Sequence, residues 1–220
     1  HMLAMAHGIS VTDPAARILV IDGDGFAFRA SDQLHAIAQA GSKMVIAGTD
    51  SGICEARNGP PHQSTGQPGM LTDMPGLLLL EPADAIDLYN CLNWALDEYT
   101  GPTYIRLHST SVARFPSCQR NLIAYITYQP DNPCQLILVG SGLLLDGMVI
   151  AACKLDKDGI GARVINVIDM EHLDHSFVDL LENRVPVLTF YNGNPFILQS
   201  AVARIVMENP SHLPSTIQGH

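Results

Sequence analysis

The run Gly59-Pro60-Pro61-His62-Gln63-Ser64 places an imidazole directly behind two prolines, in a polar stretch between an apolar segment ending near Ala47 and another beginning at Leu77. A proline pair fixes two φ angles and removes two N–H donors, so the next residue keeps little freedom. A histidine held in that way can serve a reacting oxygen as donor or acceptor, whereas one in an ordinary polar turn is simply solvated. The other chemistry-bearing clusters are weaker. Gly140-Ser141-Gly142 comes after an apolar run and could open a phosphate-cradling helix, but the full G-x-G-x-x-G pattern would need glycine at Leu145. His172 and His175 form an i, i+3 pair without cysteines or further carboxylates at ligand spacing, which reads as surface. Gly23-Asp24-Gly25 reads as a turn.

These residues need a scaffold, and the apolar pattern supplies one. Ile18–Ile21 and Met44–Ala47 read as buried strands, with a helix over Arg29–Ala40 between them whose Leu34, Ile37 and Ala38 share a face. Leu77–Leu80 reads as a strand. Asp84 then caps a helix on which Leu88, Leu92, Ala95, Leu96 and Tyr99 line one side as far as Gly101-Pro102, and Thr103–Leu107 is the next strand. From Val112 to Pro133 the periodicity fades, and Pro116, Pro130 and Pro133 mark a junction. The grammar then repeats: strand Leu136–Val139, helix Leu145–Leu155 closed by Gly159, strand Val164–Ile168, and a short helix Phe177–Leu181. Strand Val185–Phe190 and a last helix from Asn194-Pro195 to Asn209-Pro210 complete it. The order predicts an α/β protein of two consecutive units, each a mostly parallel sheet covered by helices.

The 220 residues carry a formal net charge of -10 and show no Lys/Arg stripe, which argues against nucleic acid as a partner. The longest apolar runs are far too short to span a bilayer, and the chain reads as having neither a membrane segment nor a signal peptide. Cys54, Cys91, Cys118, Cys134 and Cys153 are scattered without C-x-x-C spacing, as reduced thiols of a cytoplasmic protein are.

The order of motifs resembles the thiamine-diphosphate enzymes of the transketolase type, which include 1-deoxyxylulose-5-phosphate synthases and the β subunits of 2-oxo acid dehydrogenases. The resemblance runs through "LAMAHGIS", "GFAFRASDQL", "AGTDSGICEARNGPPHQS", "MPGLLLLEPADAIDL" and "GPTYIRLHS", and continues in "LILVGSGLLLDGMVIAACKLDKDGIGARVINV". It implies a pyrimidine-binding domain over residues 1–115 that lacks its first elements, a linker over 116–134, and the family's C-terminal domain over 135–220. Family members carry Asp-Gly-x-Thr-His-Gln where this chain has Asn58, Gly59, Pro60, Pro61, His62 and Gln63. The resemblance therefore implies that His62 is catalytic, hydrogen-bonding a substrate oxygen as charge develops, with Asn58 and Gln63 contacting substrate.

By the same resemblance Phe26 stacks on the cofactor's aminopyrimidine ring, Arg29, Asp32 and Gln33 shape its pocket, and Arg106 faces the substrate. The arginine that often takes a substrate phosphate is Ser109 here, so a phosphorylated substrate is not implied. The implied cofactors are thiamine diphosphate and a Mg2+ held by a domain outside this chain. The glutamate that engages the pyrimidine lies, in the family, just upstream of the first residue. The chain is thus expected to share its site with a diphosphate-binding domain or subunit, as a homodimer or heteromer, and to be inactive alone. A sugar or oxo acid is the implied substrate, and ketol transfer is the first reading. Oxo-acid decarboxylation, a non-catalytic assembly module and, more weakly, a nucleotide-binding protein are the alternatives.

Overall fold

The computed structural model describes residues 1–110, 112, 115, 120–209 and 217–219. The chain divides into two compact units, His1–Ser111 and Val112–His220. Cys118 lies outside the described residues; among the described residues Cys54, Cys91, Cys134 and Cys153 form no disulfide with one another.

In the first unit, β1 (Leu19–Gly23), β2 (Met44–Thr49), β3 (Leu78–Leu80) and β4 (Pro102–Arg106) form one sheet in the order β1-β2-β4-β3. All three pairings are parallel. Buried on both sides, β2 and β3 have no need of alternation, which is why they read as plain apolar runs. Helices α1 (Met2–Thr12), α2 (Ser31–Ala40), α3 (Gln67–Thr72) and α4 (Ala85–Asp97) complete this unit. Asp84 caps α4 as its position predicts, its Oδ1 accepting from the backbone N–H groups of Ile86 at 3.0 Å and Asp87 at 3.1 Å. Gly41, at φ 60°, ends α2 in the left-handed conformation that glycine adopts without cost.

The second sheet runs β5-β7-β6-β8-β9, from β5 (Ala124–Tyr128), β6 (Cys134–Gly140), β7 (Gly161–Val167), β8 (Val187–Phe190) and β9 (Ile217–Gly219). Around it lie α5 (Leu144–Lys157), α6 (His175–Val178) and α7 (Phe196–Glu208). β5 is antiparallel to β7 and the remaining pairs are parallel, so both sheets have the mostly parallel α/β character expected. The stretch expected to be a linker, 116–134, instead contributes β5. Its Ala-Tyr-Ile-Thr-Tyr sequence is a short edge strand lined with aromatic and β-branched residues, and Pro130 and Pro133 come after it without interrupting it.

The turn behind β5 is fastened to α5 by one side chain. The Asp156 carboxylate accepts from Tyr128 Oη at 3.0 Å, from the Asp131 backbone N–H at 3.0 Å and from Asn132 Nδ2 at 2.7 Å. Those donors, led by the Asp131 N–H, hold the Asp156 carboxyl at about 2 against an ordinary 3.8. A depressed carboxyl pKa contributes stability that is present above its ordinary value and is lost as pH falls through the folded one. Wild-type protein is expected to lose urea resistance between pH 3.8 and about 2, and Asp156→Asn to flatten that part of the profile while lowering the midpoint at neutral pH. Urea midpoints across this range check it, and an unchanged slope in the variant would remove Asp156 from the account.

Candidate functional site at the carboxyl edge of the first sheet

Because β1 to β4 are parallel, the segments after them all leave the sheet from the same edge. Open parallel sheets place their sites there, outside the carboxyl ends of the strands. The edge carries the 3₁₀ helix Asp24–Ala30 after β1, the 3₁₀ helices Ile53–Asn58 and Pro60–His62 after β2, Glu81 after β3, and Leu107–Thr110 after β4.

Three of the expected site residues meet. The rings of Phe26 and His62 lie edge to face, their centroids 5.4 Å apart at 78°, and the Arg29 guanidinium sits 5.4 Å from the centre of the Phe26 ring. Phe26 and His62 are half-buried and Arg29 is exposed. The approach is close because residue 25 has no side chain. A Cβ there would come within 2.9 Å of the Pro61 carbonyl oxygen and 3.2 Å of the His62 Cα. The carbonyl of Gly25 also accepts from Gln67 Nε2 at 3.1 Å, which ties the phenylalanine-bearing helix to α3. The Gln67 Oε1 is buried with no hydrogen-bond partner among the described residues.

The proline loop is fixed by its own backbone, as its composition predicts. Gly59 has φ 94°, and the Gln63 N–H donates to the Pro60 carbonyl at 3.1 Å. Ser64, fully buried, accepts from the Gly52 N–H through its hydroxyl at 2.6 Å. Gln63 is half-buried beside His62; Asp32 and Gln33 lie exposed in the first turn of α2.

Arg106 departs from expectation. Rather than facing a substrate, it is 3% exposed beneath the loops. Its Nε donates to Asp24 Oδ2 and its Nη1 to Glu81 Oε1, both at 2.9 Å, and its Nη2 donates to the Ser64 carbonyl at 2.5 Å. The reason lies in strand order. β4 sits between β2 and β3, so its last residue emerges among the other strand ends and meets an acid from two of them. Asp24 also corrects its own expectation. It opens a 3₁₀ helix instead of sitting in a turn, and its Oδ1 accepts from the Tyr104 hydroxyl at 2.8 Å. Burial and this carboxylate together push the Tyr104 phenol well up. Tyr104 in turn packs over Gly48, where any Cβ would collide with its ring.

Asn58 is exposed, and its Nδ2 donates at 2.7 Å to Oε2 of Glu55, a residue that sequence reading passed over. The other Glu55 oxygen accepts from the Ser109 hydroxyl. Asp24 and Glu81 had a legible signal, each being an acid set just past an apolar run; Glu55 had none. Among the described residues no group of three or more His, Cys, Asp or Glu could hold a metal ion. His172 belongs to the second unit, where its Nδ1 pairs with Asp169 Oδ2 at 2.8 Å. No helix among the described residues is long and apolar enough to cross a membrane.

Comparison with known proteins gives the family and the fold. Residues 1–113 match the family described as transketolase, pyrimidine binding domain. The chain is 28% identical over 151 residues to a 6-deoxy-6-sulfo-D-fructose transketolase subunit of Clostridium sp., covering 68% of this chain and 47% of that protein. It is 27% identical over 163 residues to a transketolase of Nostoc sp., covering 72% of this chain and 24% of that one. Against these relatives the chain spans about half their length or less. Among solved structures, a split-gene transketolase in an inactive β4 tetramer superposes with a TM-score of 0.81 at 22% identity, covering 98% of this chain and 70% of that chain. The transketolase of Leishmania mexicana gives 0.80 at 19% identity, covering 96% and 34%. At these identities the structural likeness concerns the fold.

Proposed function

We propose that this chain, which belongs to the transketolase pyrimidine-binding-domain family, supplies the pyrimidine side of a thiamine-diphosphate site and takes part in two-carbon ketol transfer. The observation that carries the reading is the meeting of Phe26, Arg29 and His62 at the carboxyl edge of a parallel sheet. A half-buried aromatic ring with an exposed guanidinium beside it suits the flat face of an aminopyrimidine. When bound, thiamine diphosphate supplies a carbon nucleophile that carries the two-carbon unit.

In this reading Phe26 supports the ring, Arg29 fixes the Phe26 edge of the pocket, and His62 presents its imidazole to a substrate oxygen. Gln63 and Asn58 border the substrate. Arg106 acts through Ser64 as a positioning residue. The diphosphate and its Mg2+ belong to a separate domain or subunit, with which this chain forms a homomeric or heteromeric assembly. Phe28, 51% exposed, and Ile53, 61% exposed, stand on the site's own 3₁₀ helices and suit a covering partner. Residues 135–220 are assigned, by resemblance, to the family's C-terminal domain.

Calorimetric titration of thiamine diphosphate with Mg2+ into the full assembly tests the assignment. Saturable binding is expected, weakened about three- to tenfold by Phe26→Ala, the range an aromatic pair contributes beyond its area. No binding by the assembly, or equal affinity in the variant, would count against the pyrimidine-side role. Oxo-acid decarboxylation is the second reading within the same cofactor chemistry, and turnover of pyruvate in place of a ketose would favour it.

A further inference from the structure

We propose that Glu55 sets the substrate class of this site, turning Asn58 and Ser109 so that they receive the hydroxyl hydrogens of an uncharged polyol and disfavour a phosphorylated one. The inference rests on the ketol-transfer reading above. It begins from a carboxylate where an open loop would not need one. Glu55 is 2% exposed, within the 3₁₀ helix Ile53–Asn58 that packs on the helix carrying His62. Its Oε2 accepts from Asn58 Nδ2 at 2.7 Å and its Oε1 from the Ser109 hydroxyl.

Donor and acceptor accounting gives the consequence. A carboxylate only accepts, so each partner has to donate to it. Ser109 spends its one hydrogen on Glu55 and keeps two lone pairs. Asn58 commits an amide hydrogen and keeps its carbonyl oxygen, with one amide hydrogen left. Both residues are exposed, one four positions before His62 and the other just past the end of β4. What they offer an incoming molecule is therefore mostly acceptors, backed by a buried negative charge. A sugar hydroxyl can donate to such a surface; a phosphate brings further acceptors and like charge.

Among the described side chains, the two bases nearest Ser109 in the chain do not offset that charge, and the Arg29 guanidinium lies over the Phe26 ring. The Arg106 guanidinium is already neutralised by Asp24 and Glu81. His108, adjacent to Ser109, has its pKa lowered by burial, which favours the uncharged imidazole.

The test is calorimetry on the full assembly loaded with thiamine diphosphate and Mg2+, using D-xylulose and its phosphate ester as paired probes, with turnover of each recorded alongside. Wild type is expected to bind the free sugar at least about tenfold more tightly than the ester. Glu55→Gln, which keeps the side chain's shape while removing its charge, is expected to shrink that ratio by about tenfold. Ser109→Lys changes an exposed position and is expected to shift the ratio the same way, so the idea stays open to test if the buried variant fails to fold. Cofactor binding with an equal or tighter grip on the ester would overturn the role of Glu55 and leave the proposed function standing. A preference for the free sugar that survives both substitutions would also overturn it. Absence of cofactor binding would overturn both.

Discussion

Arg106→Leu is expected to destabilise the first unit by about 3–5 kcal/mol, the cost of removing one partner from a buried ion pair. The arginine side chain is 2% exposed and its two acids, Asp24 and Glu81, are 0% and 5% exposed. Leucine would fill much of the volume but take the shared guanidinium away from two buried carboxylates and from the Ser64 carbonyl at once. Tyr104 still donates to Asp24, which softens the loss without removing it. Urea unfolding of the variant measures the effect. The same substitution logic applied to Arg17, whose pair with Asp97 at 2.8 Å is 60% and 53% exposed, predicts no more than about 1 kcal/mol. If the two variants proved equally mild, the buried network would not be what holds the strand ends together.

That network also shows where the sequence is legible and where it is not. Runs such as Leu77–Leu80 and Met44–Ala47 declare themselves because a strand buried on both faces can be apolar throughout. Helix α4 declares itself through its cap, although the face it buries is Asp87, Cys91 and Ala95, with Leu88, Leu92 and Leu96 of the expected stripe half-buried at its border. β5 was hidden because an antiparallel edge strand of five residues has neither a long run nor a strong alternation. The site was legible as local motifs: the proline loop fixes its own backbone, and Phe26 and His62 do meet. What could not be read was partnership between distant residues. Nothing local distinguishes an arginine that reaches outward from one that closes a triangle with acids from β1 and β3. Only the β1-β2-β4-β3 order sends Arg106 inward. Glu55 was invisible for the same reason, since its partners are Asn58, one turn on, and Ser109, beyond the end of another strand.

His62→Ala is expected to lower turnover of the loaded assembly by about 10²–10⁴-fold, the range over which a positioned proton-transfer group or a donor to a developing oxyanion contributes. The variant isolates the imidazole because the loop does not depend on it. Gly59 at φ 94°, the two prolines, the Gln63-to-Pro60 backbone bond, the Gly52-to-Ser64 bond and the Arg106 contact on the Ser64 carbonyl all hold the chain without the His62 side chain. The local loss is one edge-to-face contact with Phe26, whose cost of about 0.5–1.5 kcal/mol caps any weakening of cofactor binding near tenfold. A catalytic histidine therefore predicts a split result, with turnover falling far more than cofactor affinity. A uniform loss of both would point to collapse of the loop. Unchanged turnover in an intact assembly would remove His62 from the chemistry and favour a chain that keeps this fold to assemble with its partner, with Phe26 and His62 retained as packing.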